Sequence, residues 1–185
     1  GISTDTGLLQ TWPEGGPRKL FTAMGMGVGF SSVAVTGGRI YTMGDRRDGQ
    51  YALAFHEADG APIWAARVGE THQDEYGGPR ATPTVDGNSV YVLSSDGTVV
   101  ALDAATGRNI WSKSLTRDYR APTPTWLFAE SPLVDGAHVI VSPGSNAAAM
   151  VALEKTTGKE IWRTQQPGIG SGGVIGPDYS SIVIS

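Results

Sequence analysis

Three side chains in this sequence are suited to binding or proton chemistry. Arg80 can pair an anionic group through its planar guanidinium. Glu130 can ligate a hard cation or act as a base. Trp126 can stack on a flat ring. Other chemistries are excluded by residue type or by context. There is no cysteine, so a disulfide framework, a thiolate nucleophile and a cysteine-based zinc site are ruled out, while the compartment stays open. His56, His72 and His138 are far apart and form no metal-spacing pair. No Gly-x-Ser-x-Gly elbow is present. Gly168-Ile169-Gly170-Ser171-Gly172-Gly173 has the spacing of a dinucleotide loop, but that loop must open a helix. Here Val174-Ile175-Gly176-Pro177 follows, and Pro177 with the next apolar run forbids one.

Charge and hydropathy narrow the partners. The 14 Lys and Arg and 18 Asp and Glu leave a dispersed net charge of -4 over 185 residues. No basic stripe exists to track phosphates, so nucleic acid is not an expected partner. The longest uncharged runs, 139–153 and 164–177, are short and broken by Pro, Gly, Ser or Asn, so no transmembrane segment is expected. The chain starts at Gly1 with no signal peptide before it, which reads as a processed chain or a fragment.

The elements that must position Arg80, Trp126 and Glu130 are legible from a repeat. Ala101-Leu102-Asp103-Ala104-Ala105-Thr106-Gly107-Arg108-Asn109-Ile110-Trp111 has two relatives, 54–64 and 152–162. Each keeps an Ala, a polar residue two on, a Gly six on, an Ile nine on and a Trp ten on. Phe21, Trp64, Trp111 and Trp162 stand 43, 47 and 51 residues apart. Between these anchors lie four short apolar runs per unit, divided by pairs such as Gly37-Gly38, Asp86-Gly87, Asp96-Gly97, Asp135-Gly136 and Thr157-Gly158. Four strands at that period are the signature of a propeller blade. The expected fold is all-β: about three complete four-stranded antiparallel blades at 31–68, 81–115 and 130–165. The outer strand of a preceding blade is expected at 18–23 and the first strand of a fourth at 180–185, after an extended segment at 1–16.

The recurring residues have mechanical readings. Gly60, Gly107 and Gly158 suit a turn that needs positive φ. The polar residue two after each alanine, His56, Asp103 or Glu154, is expected to order that turn. Trp64, Trp111 and Trp162 can cover the gap between adjacent blades, and the small Ala54, Ala101 and Ala152 leave room for a neighbouring ring. Three equivalent rings at blade spacing cannot all face one ligand. A site is therefore expected where the copies disagree: Phe30, Arg80, Ala129 and Tyr179 before each first strand, the following Ser31, Ala81, Glu130 and Ser180, and Arg46, Asp96 and Asn146 in the turns between second and third strands.

At this point the sequence resembles the PQQ-like, or quinoprotein-type, β-propeller repeat, whose hallmark is Ala-x-Asp-x-x-Thr-Gly-x-x-x-Trp. The copy ending at Trp111 matches fully, the copy ending at Trp162 has Glu154 for Asp, and the first has His56 for Asp and Asp59 for Thr. The stretches 3–13, 78–87 and 129–136 resemble the BamB-like bacterial group. The resemblance spans most of residues 17–185. It implies an exported, periplasmic or envelope-associated protein, and a chain that is an N-terminal part of a seven- or eight-bladed ring.

It implies three alternative functions. The first is a non-catalytic scaffold or binding protein with a protein partner. The second is part of a PQQ-dependent alcohol or sugar dehydrogenase. The third is a carbohydrate or small-ligand binder using the axial loops. The dehydrogenase needs calcium beside the quinone, a catalytic carboxylate and a stacking floor. No such set can be matched position by position, so no bound cofactor and no catalytic or metal-ligating residue is assigned, and PQQ with calcium would require the full-length protein. Without the remaining blades the terminal blades would present apolar faces and open strand edges. The chain by itself is expected to associate or to be unstable in light scattering; a stable, monodisperse monomer would contradict this.

Overall fold

The computed structural model describes residues 6–72, 76–165 and 179–184. Among these residues twelve strands make three four-stranded antiparallel sheets, each in simple sequence order. The first contains β1 (Ala34–Thr36), β2 (Arg39–Arg46), β3 (Gly49–His56) and β4 (Pro62–Gly69). The second contains β5 (Thr84–Asp86), β6 (Ser89–Leu93), β7 (Thr98–Asp103) and β8 (Asn109–Ser114). A short helix α1 (Leu115–Tyr119) leads to the third: β9 (Leu133–Asp135), β10 (His138–Val141), β11 (Met150–Glu154) and β12 (Glu160–Thr164).

Burial follows strand position. The middle strands are continuous apolar runs such as Val90-Tyr91-Val92-Leu93 and Val99-Val100-Ala101-Leu102, all essentially inaccessible. A strand in the middle of a sheet that is packed on both faces has no solvent side, so alternation disappears. The outer strands β4 and β8 keep a mixed pattern because one edge meets water. The first strands β1, β5 and β9 pack beside one another at the opposite edge. There Thr82 donates its N–H to Ser131 Oγ at 2.9 Å, and Thr84 Oγ1 donates to the Pro132 carbonyl at 2.6 Å. The fold is a partial β-propeller.

The repeated alanine sits in a cross-strand row. Tyr41, Ala54 and Trp64 are register partners in the first sheet, Tyr91, Ala101 and Trp111 in the second, Ile140, Ala152 and Trp162 in the third. With only a methyl group in the middle strand, the flanking rings close over it; their centroids are 6.0 Å apart for Tyr41 and Trp64 and 6.1 Å for Tyr91 and Trp111. Each third–fourth strand ladder shifts register just after that alanine, which aims the tryptophan across it.

From there Trp64 and Trp111 reach the next sheet. A methyl group at Gly107 would lie 2.7 Å from the Trp64 ring, and one at Gly158 2.7 Å from the Trp111 ring. Trp64 Nε1 donates to the Ala104 carbonyl at 3.0 Å, and Trp111 Nε1 to the Lys155 carbonyl at 2.9 Å. Tyr41 and Tyr91 hydroxyls donate to the same two carbonyls at 3.3 and 3.1 Å. Phe21 meets Gly60 in the equivalent way, at 2.6 Å from a methyl placed there, without an N–H to donate. Trp162 has no such neighbour among the described residues and is 37% exposed.

The turns that carry these glycines are fixed by side chains. Asp103 accepts from the N–H groups of Ala105 and Thr106 at 3.1 and 2.9 Å and from Thr106 Oγ1 at 2.7 Å. In the third copy Thr157 Oγ1 donates to Glu154 Oε2, and Lys159 N–H to Thr157 Oγ1 at 3.2 Å. In the first copy it is Asp59 that takes the Ala61 N–H, at 2.9 Å, in place of the residue at 56. Hydrogen bonding from Thr106 holds the Asp103 carboxyl below the ordinary carboxylate value.

The structure departs from the strands expected at 18–23 and 180–185. Residues 18–23 form no strand, and neither do residues 181–184; a strand exists only with a neighbour to ladder against, and none lies beside them among the described residues. The first strand of each sheet is shorter than its apolar run, beginning at Ala34, Thr84 and Leu133. The connection at 115–127 opens with α1, capped by Ser114, whose side chain accepts from the Arg117 N–H, and closed by Arg120 at φ 55°. Tyr119 on that helix is buried, which pushes its phenol up to about 12. The Gly168–Gly173 loop lies outside the described residues.

Gly158 has φ +69° as well as no room for a side chain. Gly158→Ala is expected to lower stability by about 1–3 kcal/mol, read as a fall in melting temperature. A neutral outcome would contradict the contact. The lowered Asp103 value makes its contribution full above the ordinary carboxylate range near 3.8 and lost as pH falls through the lowered value. Asp103→Asn should flatten that part of the stability–pH curve.

Candidate functional site

The loops that lead into the first strand of each sheet converge at one end of the fold, and they are the divergent parts of the repeat. The first, residues 25–30, is held to β2. Val28 and Asp45 exchange backbone bonds of 2.9 and 2.7 Å, and Arg46 donates to the Gly25 carbonyl at 2.8 Å. Phe30 N–H then donates to the Pro79 carbonyl at 2.8 Å. The loops touch backbone to backbone: Gly78 has φ +93°, and a methyl there would lie 2.4 Å from the Val28 carbonyl oxygen.

The second loop is fixed from below by a buried amide. Gln50, fully inaccessible, donates through Nε2 to Ser95 Oγ and accepts the Ser95 N–H, both at 2.9 Å. Ser95 Oγ donates in turn to the Gly78 carbonyl at 3.1 Å. Arg80 donates to that same carbonyl at 3.2 Å and to the Tyr76 carbonyl at 2.6 Å. A buried, doubly bonded glutamine thus sets the height of the loop from which the Arg80 guanidinium projects. The third loop passes Leu127 at φ 61° to Phe128, which donates its N–H to the Ser95 carbonyl at 3.2 Å and packs on Gly97. Trp126 N–H donates to Tyr179 Oη at 3.1 Å.

Together these loops form an open pocket of about 310 Å³ lined by Phe30, Tyr76, Arg80 and Trp126. The Arg80 guanidinium carbon stands 5.7 Å from the centre of the Phe30 ring. Tyr76 and Trp126 meet edge-on, centroids 5.9 Å apart at 83°. Phe30 is 60% exposed and Trp126 54%. No carboxylate stands at ion-pair distance from Arg80 among the described residues. The pocket therefore offers flat apolar walls and one positive charge, which suits an apolar group with an acidic neighbour.

Of the residues singled out by sequence, Arg80 and Trp126 meet in this pocket, and Phe30 joins them. Glu130 does not line it. Glu130 is 2% exposed and its Oε1 accepts the Ser142 N–H. Ser31, two sheets earlier at the equivalent place, accepts the Met43 N–H at 3.3 Å. Both positions cap the same point of the second strand. Tyr76 was not singled out, although it is the aromatic residue four before Arg80 in the same loop.

Among the described residues no three His, Asp or Glu side chains are grouped to hold a metal ion, and the buried Glu130 carboxylate already takes a backbone N–H. No helix among the described residues is long and apolar enough to cross a membrane.

Comparison with known proteins agrees with the geometry of the frame. The family model described as outer membrane protein assembly factor BamB matches residues 18–125 and 47–183. The outer membrane protein assembly factor BamB of Yersinia pestis is 31% identical over 104 residues, 55% of this chain and 25% of that protein. The chain spans about a quarter of the length of such curated relatives. The crystal structure of BamB from Moraxella catarrhalis superposes with a TM-score of 0.56 at 20% identity, over 79% of this chain and 39% of that one. A quinohemoprotein alcohol dehydrogenase from Pseudomonas putida HK5 superposes with a TM-score of 0.54 at 22% identity, over 80% of this chain and 23% of that one. At these identities the two structures establish the fold alone. The family match runs over nearly the whole sequence, and the chain belongs to the family of the outer membrane protein assembly factor BamB.

Proposed function

We propose that this chain is part of a non-catalytic propeller of the bacterial cell envelope, exported to the periplasm, that holds a protein partner during outer-membrane protein assembly. The observation that carries the reading is the exposed Phe30, Tyr76, Arg80 and Trp126 pocket on the divergent loops. Exposed aromatic rings beside an arginine are the residue types that dominate protein interfaces. The family membership supports the same direction, since its members are named for assembly of outer-membrane proteins. The dehydrogenase reading rests on fold likeness, which is a weak guide to activity, and the described residues bring no donor set for its cofactor together.

The test is photo-crosslinking in the producing bacterium, with a photoreactive amino acid placed at position 126 of the full-length protein. The expected result is an adduct with another envelope protein. Arg80→Ala and Trp126→Ala should each weaken capture of that protein by about tenfold. A full-length protein given PQQ and calcium should develop neither quinone absorbance nor dye reduction. Quinone binding with turnover, and no adduct, would overturn the reading.

A further inference from the structure

At the end of the sheets opposite the aromatic pocket, the turns of one sheet meet those of the next. Between the second and third sheets the chain closes the gap itself. Lys155 Nζ, in the turn after β11, donates to Asp86 Oδ2 at the end of β5, at 2.8 Å. Between the first and second sheets the residues in those two places are Ala104 and Thr36: one stands three after the motif alanine, the other just before the turn glycine. A methyl group and a hydroxyl cannot bridge the gap. A pocket of about 320 Å³ stands there, with Thr36, Arg39, Asn88 and Asp103 in its lining.

Where the bridge is lost, polar groups are gained. Arg39 stands where the second sheet has Ser89, and Asn88 where the third has Ala137. Thr36 and Asn88 are exposed, and Arg39 and Asp103 partly so, which leaves them open to a ligand. No carboxylate lies at ion-pair distance from Arg39 among the described residues. Asp103 uses Oδ1 to order its own turn, taking the Ala105 and Thr106 N–H groups and the Thr106 hydroxyl. Its Oδ2 takes no hydrogen bond among the described residues. An arginine of the first sheet and an aspartate of the second thus line one polar pocket without pairing with each other.

The ligand follows from these charges. The Arg39 guanidinium and the Asn88 amide donate to a carboxylate, and Asp103 Oδ2 accepts from an ammonium. An ion of either sign alone would gain one of these charges and be repelled by the other. A molecule that carries both signs a few bonds apart is held by both. The volume is at the small end of ligand pockets, which suits a single small molecule. We infer that this pocket binds the ammonium and carboxylate groups of an α-amino acid, in the place that the Lys155–Asp86 bridge fills one sheet further on and separately from the aromatic pocket around Trp126.

The full-length protein is titrated with glycine, serine and glutamine, following the amide signals of Gly37, Gly87 and Asn88 by NMR. At least one amino acid should shift them saturably, while acetate and methylammonium, with one charge each, should bind about tenfold more weakly or less. Arg39→Gln should weaken the amino acid by about tenfold, the loss of one charge-assisted contact. Thr36→Asp together with Ala104→Lys restores the internal bridge and should abolish the shifts. Asn88→Ala, in an exposed turn, should weaken binding and provides the test should the double variant fail to fold. Saturation by no amino acid, acetate or methylammonium binding as well as the amino acid, or unchanged affinity in any of these variants would each overturn the inference.

Discussion

A tryptophan ring set against a glycine of the following sheet is the contact on which the rest depends. Each sheet is a single layer without a helix to cover it, so its apolar faces must be closed by its neighbours. The ring supplies area at the outer edge and its N–H supplies direction, because the accepting carbonyl belongs to the turn that bears the glycine. Three conditions must hold together for this. The middle-strand residue must be alanine, the ladder must shift just after it, and the turn must have no side chain. That is why Ala, Gly and Trp recur together, while the residues between them drift.

The same frame explains where binding chemistry resides. The glycine–tryptophan contacts fix one edge and end of every sheet, whereas the sheet-to-sheet loops at the other end carry no repeated motif. They are tied down instead by individual bonds: Gln50 through Ser95 to Gly78, Val28 to Asp45, Phe128 to Ser95. The pocket of Phe30, Tyr76, Arg80 and Trp126 stands on these loops. A rigid repeated scaffold with irregular loops is a common division of labour, since the loops vary without disturbing the core.

Much of the frame was legible in the sequence. The period of the Gly–Trp motif marked the sheets, and the turn glycines marked their order. Phe21, read as standing in the place of a tryptophan, packs against Gly60. What was not legible depends on partners remote in sequence. Residues 18–23 read as a strand from their match to the repeat, but a strand needs a neighbour. Helix α1 is only five residues long, too short for a periodic signal. Glu130 looked like a chemical residue because it differs from Ser31 and Ala81 at the same position. Its burial and its bond to the Ser142 N–H became visible only in three dimensions. Arg80 and Trp126 are far apart in the chain, and their meeting with Tyr76 follows from stacking of the sheets rather than from any local pattern.

The central claim is that Trp64 and Trp111 are mechanical parts while Trp126 faces the outside. Exchange of the indole N–H protons, followed by NMR, tests it most directly. The account predicts slow exchange for Trp64 and Trp111, whose N–H groups are committed to carbonyls of the next sheet, and fast exchange for Trp126. Exchange of Trp64 or Trp111 as rapid as that of Trp126 would contradict it.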